Sequence, residues 1–281
     1  MMRLNNVVIY NNEESKVNVK KKINLPKKMK RSNEEIRQRR EEILHYLKEN
    51  GRTEINDLSK YFNVSEMTIR RDCAKLSEMG QIIQPFGYVE IFQEVEGQKN
   101  DPLEQIKLSI AKEAARHVED GDTLFINTSS TATASLQFLQ DTSIILMTNH
   151  LAVADIQHHP DSSIILSGGE IRYSKKALTG DIAVDSFAHA RSDVSIIGCD
   201  GVDLTTGITT SVFHESKINQ KIIENSSTLI VVCDYRKIGH QANFTIGKIE
   251  DIDILITDSY ADERILTALE KSGVQVIQVQ I

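Results

Sequence analysis

Two groups of residues in this chain have types and spacings suited to chemistry. The first is Ser65-Glu66-Met67-Thr68-Ile69-Arg70-Arg71, with Lys75 one turn further on. Ser65 and Thr68 offer hydroxyl donors, and a helix opening there presents unpaired amides to an anion. Paired arginines reach phosphates or guanine edges, with Glu66 and Lys75 on the same outward side. The second group is a series of polar clusters, each following a short apolar run. These are Asn127-Thr128-Ser129-Ser130-Thr131, Thr148-Asn149-His150, Ser167-Gly168-Gly169, Cys199-Asp200-Gly201-Val202-Asp203 and Asp234-Tyr235-Arg236-Lys237. Hydroxyls and amides entering a helix make the kind of site that phosphate prefers. Asn127, Thr128, Ser129, Ser130, Thr131, Asn149, Gly168, Gly169, Asp200 and Lys237 are therefore the candidate ligand-binding residues. Asp200, Asp203, Glu215 and Lys237 could also supply a base, an acid and an electrostatic partner for an enediolate. Against that, Asp beside Gly201 is ordinary turn chemistry.

The elements that must position the first group are short helices. Residues 34–50 place Ile36, Ile43, Leu44 and Leu47 on one helical face, and Gly51 follows as a stop. Thr53 is expected to cap a second helix with Ile55, Leu58, Tyr61 and Phe62 pointing inward. Ser65 is expected to cap a third helix running to about Met79, with Ile69, Cys73, Leu76 and Met79 inward. Residues 81–84 and 88–92 alternate around Pro85-Phe86-Gly87 and predict a β-hairpin. Two short helices, a turn, a basic helix and a hairpin make a winged helix-turn-helix over residues 34–92, the architecture that reads double-stranded DNA.

The second group needs a different frame. Short apolar runs at 123–127, 143–148, 163–167, 194–198, 228–233, 253–257 and 274–279 alternate with helical patterns at 104–119, 130–140, 214–225 and 261–271. Buried strands alternating with helices predict an α/β domain with a mainly parallel sheet over residues 103–281. Its ligand site belongs beyond the carboxyl ends of the strands. Residues 93–102, with Gly97 and Asn100-Asp101-Pro102, are the expected linker. Residues 1–33 are expected to be a disordered basic extension.

Composition narrows the function classes. The 281 residues carry a net charge of -7, but the balance is uneven. Residues 1–92 hold 18 Lys and Arg against 13 Asp and Glu, and the remainder holds 15 against 27. A basic head on an acidic body localises phosphate binding at one end. No apolar run approaches membrane-spanning length, and the N-terminus is unlike a secretory signal. Cys73, Cys199 and Cys233 are odd in number and have no CxxC spacing, which fits small apolar side chains in a reducing cytoplasm. His158-His159 lacks further ligands at metal spacing, and there is neither a P-loop nor a dinucleotide fingerprint. No metal or cofactor is expected.

The run from Asn63 to Asp72 resembles the signature of the DeoR family of bacterial transcription regulators, whose third helix opens Val-Ser-x-x-Thr-Ile-Arg-Arg-Asp. The chain differs from the family at Cys73, where Leu is usual, and at Gln84-Pro85-Phe86-Gly87-Tyr88-Val89, where the wing usually reads Arg-x-His-Gly-Gly-Ala. The resemblance extends over the body, through the loop 127–131, Thr148-Asn149, Gly168-Gly169, Gly180, Asp200-Gly201 with Asp203, Gly207, Glu215 and Asp234 to Gly239. Here Asn127 and Ser129 replace the usual Asp and Gly, and His150 replaces a Ser or Asp. The resemblance implies a fold similar to ribose-5-phosphate isomerase and a phosphorylated sugar as effector. It implies a self-associating protein, a dimer or tetramer whose heads read operator half-sites, with repression relieved by ligand. Two rivals remain: a sugar-phosphate isomerase or deaminase carrying a DNA-binding head, and a nucleic-acid-coating protein acting through its basic N-terminal extension.

Overall fold

The computed structural model describes residues 33–84, 87–91 and 102–280. The extension expected over 1–33 and the linker expected over 93–102 lie outside these residues, apart from Asn33 and Pro102, each of which opens a helix. Pro85, Phe86 and Phe92 of the wing are also outside them.

The head is built from α1 (Asn33–Asn50), β1 (Thr53–Glu54), α2 (Ile55–Tyr61), α3 (Glu66–Glu78), β2 (Ile82–Ile83) and β3 (Tyr88–Ile91). Its core is Ile43, Leu47, Ile55, Leu58, Ile69, Cys73, Leu76, Ile82 and Val89. β3 pairs antiparallel with both β1 and β2, giving a three-stranded sheet beside the helices. Three expectations are corrected. Thr53 does not cap α2; it pairs with Val89 in β1, and Glu54 takes the cap position without a side-chain bond. Tyr61 is exposed, because it ends α2 and leans against Tyr46 with ring centroids 4.5 Å apart and the planes tilted by 55°. Met79 is exposed because it lies one residue past the last turn of α3.

The body opens with α4 (Pro102–Ala115), whose Ile106, Ile110, Ala111, Ala114 and Ala115 are all buried as the spacing predicts. It continues through β4 (Thr123–Ile126), α5 (Ser130–Ala134), β5 (Ile145–Thr148), β6 (Ser163–Leu166), β7 (Glu170–Arg172), β8 (Ala177–Thr179), α6 (Asp181–Ala188), β9 (Ser192–Gly198), β10 (Gly201–Asp203) and β11 (Gly207–Thr210). The last part is α7 (Phe213–Glu224), β12 (Ser226–Val232), β13 (Phe244–Gly247), β14 (Ile254–Asp258), α8 (Glu263–Lys271) and β15 (Gln275–Val279). Seven of these strands form one sheet in the order β15-β14-β12-β9-β4-β5-β6, with every pairing parallel. All seven apolar runs of the sequence are strands of this sheet. Their hydrophobicity on both sides is what a parallel sheet between helical layers requires.

The chain lays down β4, β5 and β6 outward in one direction, then returns to β9 beside β4 and proceeds the other way. The strand order therefore reverses between β4 and β9, and the loops leaving those two strands diverge to opposite faces of the sheet. A crevice opens there, where α/β sheets bind ligands. The expected helix over 130–140 is shorter: five residues of α5 give way to a 3-10 turn over Ser135–Phe138. The sequence pattern did not reveal α6, the β7–β8 hairpin or the small antiparallel sheet β10-β11-β13.

Candidate functional sites in the head and body

On α3, Ser65 caps the helix, its hydroxyl accepting from the Thr68 amide at 3.3 Å and lying 2.9 Å from the Thr68 hydroxyl. Ile69, Cys73 and Leu76 bury the opposite side, which leaves Glu66, Met67, Arg70, Arg71 and Lys75 exposed. Arg70 lies 3.5 Å from Glu66, one turn back, an exposed pair that a competing phosphate displaces at little cost. Met67 is 59% exposed at the front of the same face and was not singled out from the sequence. Its thioether is an apolar surface of the kind that packs on a thymine methyl.

The orientation of α3 is fixed by the last residue of the signature run, to which the sequence alone assigned no role. Asp72 is 2% exposed and accepts from Arg39 Nε at 2.6 Å and Arg40 Nε at 3.0 Å, both on α1. A buried carboxylate bridging two arginines is a fixed hinge pin between the supporting helix and the exposed one.

In the body, a cavity of about 590 Å³ lies at the carboxyl ends of β4, β9 and β12. That volume suits a small organic ligand. Asn127, Thr128, Ser129, Ser130 and Thr131 line it from the loop after β4, Asp200 from the loop after β9, and Lys237 from the turn after β12. Asn149, Gly168 and Gly169 do not line it. Asn149 is buried and donates to the Leu178 carbonyl, which fastens β5 to β8. Gly169 has φ 105°, and a Cβ on it would lie 2.3 Å from the Thr179 carbonyl oxygen, so it serves close packing against β8. Asp203 is outside as well: its carboxylate caps a turn through the amides of Thr205 and Thr206 and takes a bond from Gln241.

The two unusual residues of the first loop have local explanations. Asn127 Oδ1 accepts from the amides of Ser129 and Gly198, while its Nδ2 donates to the Gly198 carbonyl at 2.8 Å and to Asn219 Oδ1. A carboxylate could accept but not donate, so it would leave the Gly198 carbonyl without this partner. Ser129 turns its side chain over Gly198, where a second Cβ would overlap it, and its hydroxyl accepts from the Ala132 amide. Gly198 thus makes the room that Ser129 uses.

Charge in the cavity is held in opposed sets. Asp200 accepts from the Ser211 amide and hydroxyl and from Lys237 Nζ at 3.3 Å. Burial pushes the Asp200 carboxyl up, but Ser211 and Lys237 outweigh it and hold it below its ordinary value. Asp234 is likewise raised by burial and brought lower on balance by a two-point contact from Arg236, at 2.7 and 2.8 Å. Burial raises Glu215, with Thr128 and Lys175 acting the other way. Lys107 from α4 and Ser174, Lys175 and Lys176 from the β7–β8 hairpin complete the opposite wall. Five cationic side chains, Lys107, Lys175, Lys176, Arg236 and Lys237, line the cavity with three carboxylates, and Lys107 is itself paired with Glu104 at 2.7 Å, which leaves a modest excess of positive charge. His150 lies 2.9 Å from the Thr133 hydroxyl through Nδ1, and burial and Lys176 hold its imidazole below the ordinary value. Lys107, Ser174, Lys175, Lys176, Ser211 and Asn219 are among the cavity-lining residues that the sequence reading missed, and His150 was named in a strand-end cluster but not as a candidate.

The turn Tyr235–Lys237 has a second role. While Lys237 enters the cavity, Tyr235 is buried beside the head, where the backbone of Gln84 in the wing acts electrostatically on its hydroxyl. Burial pushes this phenol up to about 12. Among the described residues, no group of His, Cys, Asp and Glu is arranged to hold a metal ion, and no helix is long and apolar enough to cross a membrane.

Residues 39–95 match the model of the DeoR-like helix-turn-helix domain, and residues 104–259 match that of the DeoR C terminal sensor domain. A putative aga operon transcriptional repressor of Escherichia coli O157:H7 is 28% identical over 251 residues, 86% of this chain and 93% of that protein. The glycerol-3-phosphate regulon repressor of Escherichia coli K12 is 29% identical over 248 residues, 85% of this chain and 97% of its own length. A solved D-ribose-5-phosphate isomerase in complex with phospho-erythronic acid overlaps 48% of this chain and 54% of its own, with 21% identity and a TM-score of 0.35.

Proposed function

This chain belongs to the DeoR family of transcriptional regulators, and from that premise we propose that it represses a carbohydrate operon and releases it when a phosphorylated sugar enters the body cavity. The head docks α3 in a major groove. Ser65, Thr68, Arg70, Arg71 and Lys75 grip phosphate or base edges, and Met67 packs among the bases. Two or more copies associate through their bodies, so that paired heads read half-sites about one helical turn apart.

The observation that carries the reading is the shared turn after β12. One end of it presents Lys237 to the cavity, and its first residue, Tyr235, meets the wing at Gln84. An anion in the cavity competes with Asp200 for Lys237 and with Asp234 for Arg236. The turn then has two arrangements, one with its cations held by the protein's own carboxylates and one with them drawn to the ligand. Ligand can bias the head only by the difference in its affinity for these two states, so coupling of tenfold requires about 1.4 kcal/mol of difference.

Fluorescence anisotropy on the DNA upstream of the protein's own gene, against random DNA, tests the reading when run with and without a panel of sugar phosphates. Specific binding that one sugar phosphate weakens is the expected result. Lys237→Met should keep specific DNA binding and lose the response. The isomerase or deaminase alternative predicts turnover of a member of the same panel, abolished by Asp200→Asn. The nucleic-acid-coating alternative predicts DNA affinity that survives Arg70→Ala and Arg71→Ala.

A further inference from the structure

The cysteines are far apart in sequence, but the sheet brings two of them together. β9 and β12 are adjacent parallel strands, and their register pairs Val231 with Ile197 and Val232 with Gly198. The residues that directly follow the two strand ends, one step beyond the last pair, are Cys233 and Cys199. Neighbouring strands run about 4.8 Å apart, so the two Cα atoms fall within the roughly 4.4–6.8 Å that a disulfide spans. Both side chains line the body cavity, close enough that Cys199 acts on the Cys233 thiol. Cys199 is half-buried and reached from the cavity, whereas Cys233 is 3% exposed. Cys73, in the core of the head, has no such partner and is 0% exposed.

We propose that Cys199 and Cys233 form an oxidisable dithiol in the cavity wall, which low-molecular-weight disulfides convert reversibly to an intramolecular disulfide. Access assigns the order of events. Cys199 is reached from the cavity, whereas Cys233 is buried with its thiol pushed well above its ordinary range, so Cys199 reacts first. Its thiolate attacks one sulfur of the small disulfide RSSR, the S–S bond breaks, and one thiolate RS⁻ leaves. Cys233 then attacks Cys199 Sγ in the mixed disulfide and gives up its proton as the second RS⁻ departs. The two protein thiols are oxidised, one RSSR is reduced to two RSH, and both protons end on the small thiols. The bond ties the exits of β9 and β12 together directly before Asp200 and Asp234, the carboxylates that hold Lys237 and Arg236. The dithiol is a property of the chain itself and does not depend on which ligand the cavity takes.

The test uses the full chain with oxidised glutathione as the probe, followed by alkylation under denaturing conditions and peptide mass mapping. The expected result is a linked Cys199–Cys233 peptide, alkylated Cys73, and full reversal by excess reduced glutathione. Cys233→Ser should stop at a glutathione adduct on Cys199, and Cys199→Ser should leave Cys233 unmodified in the folded protein. Both serine variants are near-isosteric, and their reduced melting temperatures report whether the fold is kept. Recovery of Cys199 and Cys233 as fully alkylated, unlinked thiols in the wild-type protein would overturn the proposal. Linkage of either one to Cys73 would overturn it too, as would an adduct on Cys233 in Cys199→Ser forming as fast as that on Cys199 in Cys233→Ser.

Discussion

Asp72 offers the sharpest test of how the head holds its exposed helix. Its carboxylate is 2% exposed and accepts two charge-assisted bonds, from Arg39 at 2.6 Å and Arg40 at 3.0 Å. Asp72→Asn keeps the volume but puts an NH₂ donor against one guanidinium, leaving that contact donor to donor. Charge-assisted bonds of this kind are worth about 1.5–3 kcal/mol each, and breaking a buried pair costs about 3–5 kcal/mol. The Arg39 side chain is 11% exposed and bears the full loss, while Arg40, at 29%, recovers part of its hydration. We therefore expect a cost of about 3 kcal/mol, a large share of the stability of so small a domain. The assay is urea unfolding followed by far-ultraviolet circular dichroism, alongside anisotropy on operator DNA. The head transition should move to markedly lower urea, the body transition should stay, and operator affinity should fall as the head unfolds. Asp57→Asn is the control, since Asp57 meets Lys60 at 3.4 Å with both side chains more than half exposed, and should change stability by less than about 0.5 kcal/mol. If Asp72→Asn unfolds at the same urea concentration as that control, α3 is not pinned by this carboxylate and the reasoning fails.

Three further outcomes are expected. Gly169→Ala should lower the melting temperature of the body by the equivalent of about 2 kcal/mol while leaving ligand affinity in the surviving folded protein unchanged, because φ 105° and the Thr179 carbonyl resist a Cβ there; a loss of affinity with unchanged melting would return this glycine to the binding site. Asp258 is fully buried, accepts the amides of Tyr235 and Tyr260, and is raised by burial from 3.8 to about 6. A raised carboxyl stabilises the fold at low pH and loses that contribution as pH climbs from about 4 to about 6, so wild type should lose roughly 3 kcal/mol relative to Asp258→Asn across that window; parallel stability-versus-pH curves for the two proteins would contradict it. Arg71→Ala should either relax base preference at one operator position by about 1–3 kcal/mol or lower the salt slope of binding by about one, and a titration in which neither changes would remove Arg71 from the interface.

The frame of the body was legible because a parallel sheet between helices needs strands that are apolar on both sides, and each such run stands out in the sequence. The switch point followed from topology, which the alternation of strands and helices suggests but does not order. What could not be read were interactions whose partners are distant. Asn127 looked like a departure from the family's Asp until its bonds to Gly198 and Asn219, 71 and 92 residues away, gave the amide a reason. Gly168-Gly169 after a strand looked like a ligand cradle, because a glycine that admits a phosphate and one that admits a neighbouring carbonyl are the same letter. Lys175 and Lys176 escaped notice because the β7–β8 hairpin that carries them is exposed on β7 and lacks a clear apolar alternation.

The placement of Tyr235 bears on why the binding loop departs from its relatives' usual residues without losing a cavity. The loop after β4 is held from below by Asn127 and filled by Ser129 over Gly198, so it is a braced wall. The turn after β12 is different. Its two cations are balanced by Asp200 and Asp234, its amide at Tyr235 rests on Asp258, and Tyr235 meets the wing. Under the proposed function, a ligand between this wall and the electrostatically balanced turn acts on the turn. Changes at Asn127 and Ser129 are then expected to alter what fits the cavity, and changes at Asp200, Asp234 or Tyr235 to alter what binding does to the head.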